Sequence, residues 1–224
     1  MSLKKFQFVL PSTTIIAGPS GSGKTMLLFK IIDNRSSMFT DKIEGVMYCY
    51  SAYQDIFDKY TDCVTFHKGL PNREELDKFR EKYITKNYKN PHVILVLDDL
   101  MLQMDNHMAE LFTIYSHHHN LCIFFLMHNI YYQHRMMRTI SLSTHYFILF
   151  AMRRDVNQVK IFASQLFNTK AEKQEFLQLY KSLDKKPYSY LTVEVHPSQT
   201  YRVGLRKGIM PGEIETIFTT SSTE

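Results

Sequence analysis

A chain of 224 residues can bury roughly 70–75% of its unfolded surface, enough for one large α/β domain. With 44% hydrophobic and 22% charged residues, 8 Gly and 7 Pro, its composition excludes a disordered or low-complexity chain. The formal net charge of +5 permits a polyanionic partner such as DNA without defining a basic face. No apolar run approaches the roughly 18–20 residues of a membrane span, and the opening MSLKKFQFVLPS is too short for a secretory leader, so an intracellular protein is expected.

In chain order, TTIIA (13–17) reads as a strand and KTMLLFKII (24–32) as an almost wholly apolar, buried helix. GVMYCY (45–50) and DCVTF (62–66) read as strands, and NREELDKFREKYI (72–84) as a charged helix that turns Leu76, Phe79, Arg80 and Tyr83 inward. HVILVLDDL (92–100) is a fully apolar strand ending in acids. AELFTIYSHHHN (109–120) reads as a helix, and LCIFFLMHN (121–129) and HYFILF (145–150) as further strands. Continuous rather than alternating hydrophobicity implies that both faces of the sheet are covered. Helices are expected at 155–167 and near 171–183, then an antiparallel hairpin from YSYLTVEV (188–195) and TYRVGL (200–205) around HPSQ. The expected architecture is therefore one α/β domain with a mostly parallel sheet and helices on both faces. Its core spans about 10–168, a helix-and-hairpin extension 169–210, and a tail 211–224 whose last residues, TTSSTE, read as frayed.

Cys49, Cys63 and Cys122 all fall in apolar, strand-like runs without CxxC spacing, which predicts buried thiols in a reducing compartment. The histidines of SHHHN (116–120) have no i, i+4 pair and read as a helix-end cluster rather than a metal site.

Chemistry concentrates in GPSGSGKT, the octet Gly18, Pro19, Ser20, Gly21, Ser22, Gly23, Lys24 and Thr25. It fits G-x-x-x-x-G-K-[ST] between a strand and a helix, where bare backbone amides at a helix N-terminus converge on phosphates. In that pattern Lys24 contacts the β- and γ-phosphates, and Thr25 places its hydroxyl on Mg²⁺. Such a loop needs a metal-holding acid at the carboxyl end of an apolar strand, where Asp98 stands. Asp99, one methylene shorter than the Glu common at that place, is positioned to orient and deprotonate an attacking water, which marks ATP hydrolysis rather than a simple switch. His128 and Asn129 close the next apolar strand at the edge where open sheets gather ligands, and one of them is a candidate γ-phosphate sensor. Arg138, Arg153 and Arg154 are candidates for a guanidinium presented to a neighbouring subunit's γ-phosphate.

Together, AGPSGSGKTMLLFKII, VILVLDDL, the long block from LFTIYSHHHN to STHYFILF and RRDVNQVKIFASQLF resemble viral genome-packaging ATPases of the FtsK–HerA superfamily. Among these, the short forms of Polinton/Maverick-like elements and small double-stranded DNA viruses are most alike. The resemblance covers about residues 10–168. It implies a RecA-like (ASCE) P-loop fold, a pentameric or hexameric ring, and ATP-driven movement of double-stranded DNA into a capsid at a viral assembly site. It carries phosphate and metal roles to Gly18, Gly23, Lys24 and Thr25, acid roles to Asp98 and Asp99, and the sensor role to His128 or Asn129, where the superfamily often has Gln. It makes Arg138, within MRTISL, the first choice for the trans-acting arginine. Two other classes compete: a GTP-type switch or small-molecule kinase, although NTKA (168–171) lacks the acid of a guanine motif, and a non-catalytic nucleotide-binding module.

Overall fold

The computed structural model describes residues 5–86, 89–152, 154–213 and 216–219. Its strands are β1 (Thr13–Ala17), β2 (Ile43–Tyr50), β3 (Thr65–Lys68), β4 (His92–Asp98), β5 (Leu121–Met127), β6 (Tyr146–Phe150), β7 (Tyr190–Glu194), β8 (Gly204–Lys207) and β9 (Thr216–Thr219). They form one sheet in the order β3-β2-β4-β5-β1-β6-β7-β8-β9. The first six are parallel and β7 to β9 antiparallel. Helices are α1 (Lys24–Asp33), α2 (Arg35–Met38), α3 (Arg73–Glu81), α4 (Asn106–Glu110), α5 (Ser116–His118), α6 (Met137–Leu142), α7 (Val156–Leu166) and α8 (Lys170–Lys181). No helix among the described residues is long and apolar enough to cross a membrane.

The apolar runs are buried on both sides because successive strand residues point to opposite faces. Ile15, Leu95, Leu97, Ile123 and Phe125 join a core under α3 to α8. Their neighbours Ile16, Ile94, Val96, Phe124 and Leu126 join a second core under α1 and α2. Helix α3 shows how local sequence sets an end: the Asn72 side chain accepts from the Glu75 amide while the Glu75 carboxylate accepts from the Asn72 amide. Leu76, Phe79 and Arg80 are its buried face, as the spacing predicts.

Several elements depart from the sequence reading. Strand β3 starts at Thr65 rather than residue 62, because the amides of Cys63 and Val64 both donate to the Tyr60 carbonyl and close a turn. Cys63 is therefore exposed, against the expectation of three buried thiols, while Cys49 and Cys122 are buried. The helix expected at 109–120 begins earlier, at Asn106, and widens into a π-helical turn at Leu111–Tyr115. Hydroxyls of Thr113 and Ser116 donate back to the carbonyls of Ala109 and Phe112 there, bonds that loosen a regular ladder. The hairpin is present, but β8 begins four residues later than TYRVGL predicts, since Tyr201 folds over Gly204 and donates its hydroxyl to buried Glu194. The segment expected to be a tail from 211 includes β9, paired antiparallel with β8. The tail's last residues, 220–224, lie outside the described residues.

Candidate active site

The parallel strands end together along one edge: Ala17 is level with Met127 and Leu149, and Asp98 with Tyr50 and Leu126. Strand β5 stands between β1 and β4, so its polar carboxyl end falls between the glycine loop and the acids. Open α/β sheets place ligands at this edge.

The loop from Gly18 to Gly23 joins β1 to α1. Gly18 tolerates no side chain, since an added Cβ would lie 2.6 Å from the Cβ of Phe150 and 2.8 Å from the Ser22 hydroxyl. Gly23 caps α1 at φ 102°, in the left-handed region that favours glycine. The amides of the first turn of α1 have no intrahelical acceptors and face the loop. Buried Ser22 Oγ has no hydrogen-bond partner among the described residues, as a loop built for an incoming acceptor requires. Lys24 donates to the carbonyls of Gly18 (2.7 Å) and Pro19 (3.1 Å), so its ammonium lies across the mouth of the loop. Burial pulls its pKa below the usual lysine value, and the charges of Asp98 and Asp99 oppose that shift.

Asp98 is buried, at 6% exposure. Its Oδ2 accepts from the Tyr48 hydroxyl (2.6 Å) and from Gln54 Nε2 (3.1 Å). Tyr48, on the strand beside β4, thus holds the Asp98 carboxylate at the ligand edge. Burial raises the Asp98 pKa above the ordinary carboxylate value; the Tyr48 hydrogen bond and Lys24 charge work against that rise. The same burial, with Asp98 beside it, pushes the Tyr48 phenol well up. The hydroxyl of Thr25 and the carboxylate of Asp98 are the hard oxygen donors that Mg²⁺ prefers.

Asp99 leaves the strand at φ 55° and is exposed. One of its oxygens lies 3.2 Å from His128 Nε2, so β4 and β5 bring these two expected site residues together. His128 Nδ1 is buried without a partner among the described residues. Asn129 is exposed and lines, with Ser20, His128 and Arg154, a cleft of about 820 Å³. A second cleft, of about 1300 Å³, opens on the other side of the loop past Lys24, Thr25 and Met26. Arg138 is exposed at the start of α6 and lines neither cleft, whereas Arg154 lines the first. Arg153 lies outside the described residues. Of SHHHN, His117 and His118 end α5 and His119 follows it, stacked on Tyr115.

Tyr48 and Gln54 escape the sequence reading. Tyr48 carried one readable signal, a phenol in an otherwise apolar strand that must find a partner when buried.

No protein-family model and no curated protein matches the sequence. Among solved structures, the genome packaging NTPase B204 of Sulfolobus turreted icosahedral virus 2, in complex with ATP-γS, superposes with a TM-score of 0.55 at 16% identity, over 87% of this chain and 96% of that one. B204 of Sulfolobus turreted icosahedral virus, a DNA-packaging ATPase, gives 0.53 at 13% over the same shares. The cytoplasmic domain of the type VII secretion ATPase EccC of Thermomonospora curvata gives 0.51 at 12%, over 91% of this chain and 26% of that one. This chain has the RecA-like P-loop fold. The fold expectation is met, with a third antiparallel strand, β9, added to the expected hairpin.

A Tyr48→Phe variant should remove a hydrogen bond worth about 1 kcal/mol and lower stability accordingly. Asp98 then keeps one donor fewer for its charged form, so its pKa should rise further and, in the ATPase reading proposed below, the acid limb of the pH profile of turnover should move to higher pH. Measuring kcat/KM against pH checks this, and an unmoved limb would show that Tyr48 does not tune the carboxylate.

Proposed function

We propose that this chain hydrolyses ATP to move double-stranded DNA, working as a ring of copies that loads a viral genome into a capsid. One observation carries the reading: the glycine loop after β1, with buried Lys24, stands at the same sheet edge as buried Asp98 at the end of β4, near enough for their charges to interact. B204, which shares the fold over nearly its whole length, is a genome packaging NTPase solved with ATP-γS.

In this reading the loop amides and Ser22 bind the β-phosphate, and Lys24 exchanges its two carbonyl partners for phosphate oxygens. Mg²⁺, held through Thr25 and Asp98, supplies positive charge to the phosphates when bound. Asp99 orients the attacking water and takes its proton, and His128 fixes the direction of that carboxylate. In this reading Asn129, which lines the cleft with Ser20 and His128, senses the γ-phosphate. Arg138 is exposed and away from its own clefts, the position required of a group that reaches a neighbour's site.

The grip on DNA is electrostatic and sequence-blind. Duplex affinity should fall by an order of magnitude or more between about 50 and 200 mM salt. ATP turnover by the full chain should rise on adding duplex DNA, and that gain should disappear over the same salt range. Turnover indifferent to DNA would remove the motor reading, and tight binding of GTP in place of ATP would favour a switch.

A further inference from the structure

The phosphate loop accounts for only one end of the larger cleft. From Lys24 and Thr25 the cleft of about 1300 Å³ runs along Met26 and Lys30 to a wall made by the C-terminal extension, with Lys185, Tyr188 and Lys207. Phosphate chemistry by itself requires no such wall. Tyr188 is its most unusual member. Its φ is 60°, a left-handed conformation that a bulky side chain rarely adopts, and the residue is 70% exposed. The ring nevertheless lies against the loop: a Cβ added at Gly23 would be 3.2 Å from Tyr188 Cδ1. It lines both clefts and so stands between them.

The extension around it is tied together by hydrogen bonds close to Tyr188 in sequence and space. Tyr190, two residues on, donates its hydroxyl to Glu213 (2.6 Å) and accepts from the Ile209 amide (3.2 Å). The Met210 amide also donates to Glu213 (3.2 Å), and Lys207 donates to Ser182. Lys30, Lys185 and Lys207 take part in no ion pair among the described residues, which leaves the cleft basic. A strained, exposed aromatic held over a phosphate loop in a basic cleft is a stacking platform awaiting a ring.

We propose that Tyr188 stacks on the base of the bound nucleoside triphosphate, and that the extension 182–213 is the nucleoside subsite. The proposal rests on the nucleotide reading above and adds where the base goes. Stacking uses the π-face that every base presents, so Tyr188 supplies affinity and leaves base identity to other contacts.

Calorimetric titration of the full chain, with Mg²⁺, compares two probes: β,γ-methylene-ATP, and tripolyphosphate, which has no base. Tyr188→Gly keeps the left-handed backbone without strain and removes the ring. It should weaken the nucleotide by about tenfold or more and leave tripolyphosphate unchanged. Tyr188→Phe should bind both as the parent does. A Tyr188→Gly protein that binds the nucleotide as tightly as the parent, or that weakens both probes equally, overturns the stacking role while the phosphate site stands. A parent chain that binds neither probe overturns the nucleotide reading and this inference with it.

Discussion

Asp98→Asn is expected to leave the protein inactive and more stable. The Asp98 carboxylate is buried, and its pKa is raised above the ordinary value near 3.8 chiefly by that burial. An acid whose folded pKa is raised binds its proton more readily in the folded than in the unfolded chain, so ionised Asp98 costs stability above that folded pKa. Asparagine keeps an oxygen to accept from Tyr48 and Gln54 and carries no charge to desolvate. The melting temperature at neutral pH should rise by about 2–5 °C, since a kcal/mol moves a chain of this size by about 2–4 °C. The gain should shrink as pH falls through the raised pKa, because the parent's Asp98 then becomes neutral too. ATP turnover should drop by about 10²–10³-fold, the usual result of removing one charge-stabilising group. In the parent, activity should fall on the acid side through the same raised pKa, as the carboxylate proposed to hold Mg²⁺ protonates. Thermal melts and turnover across pH check both halves; a variant less stable than the parent at neutral pH would show that the charge is not a burden on the fold.

Asp99→Asn should separate binding from hydrolysis. Asp99 is exposed, so its removal costs the fold little, and it touches the loop only through the charge it places near Lys24. Its partner is His128, 3.2 Å away. If Asp99 is the proton acceptor, as proposed, its loss should lower kcat by about 10²–10⁴-fold, the span of general-base catalysis. Affinity for ATP should stay close to the parent's, in contrast to a Lys24→Ala chain, in which binding itself is damaged. His128→Ala should lower kcat less than Asp99→Asn does, because a misdirected base still accepts protons. Single-turnover kinetics with measured ATP affinity test this, and an Asp99→Asn protein with parental kcat would assign the base elsewhere.

Much of this site was legible in the chain because its parts are local. The octet at 18–25 and the acids closing β4 announce themselves by spacing and by an apolar run that stops abruptly. The runs of β4, β5 and β6 were readable as strands because they are buried on both faces, a property that composition alone reports. Other features depend on residues far apart in sequence. Tyr48 and Asp98 are 50 residues apart and meet only because β2 and β4 are neighbours in the sheet. The pairing of Asp99 with His128 follows from β4 lying beside β5, an order that no single segment encodes. The late start of β8 reflects Tyr201 closing over Gly204, and the exposure of Cys63 reflects a turn closed by the Tyr60 carbonyl. Strand β9 hid because TIFT is four residues long and follows a segment with ordinary turn composition.

Crystals grown with β,γ-methylene-ATP and Mn²⁺ in place of Mg²⁺ would locate the metal by its anomalous signal. That peak is expected between the Thr25 hydroxyl and the Asp98 carboxylate, beside phosphates seated on the loop amides. A peak away from these two oxygens, or nucleotide bound with Asp98 still tied to Tyr48 and no metal near it, would contradict it.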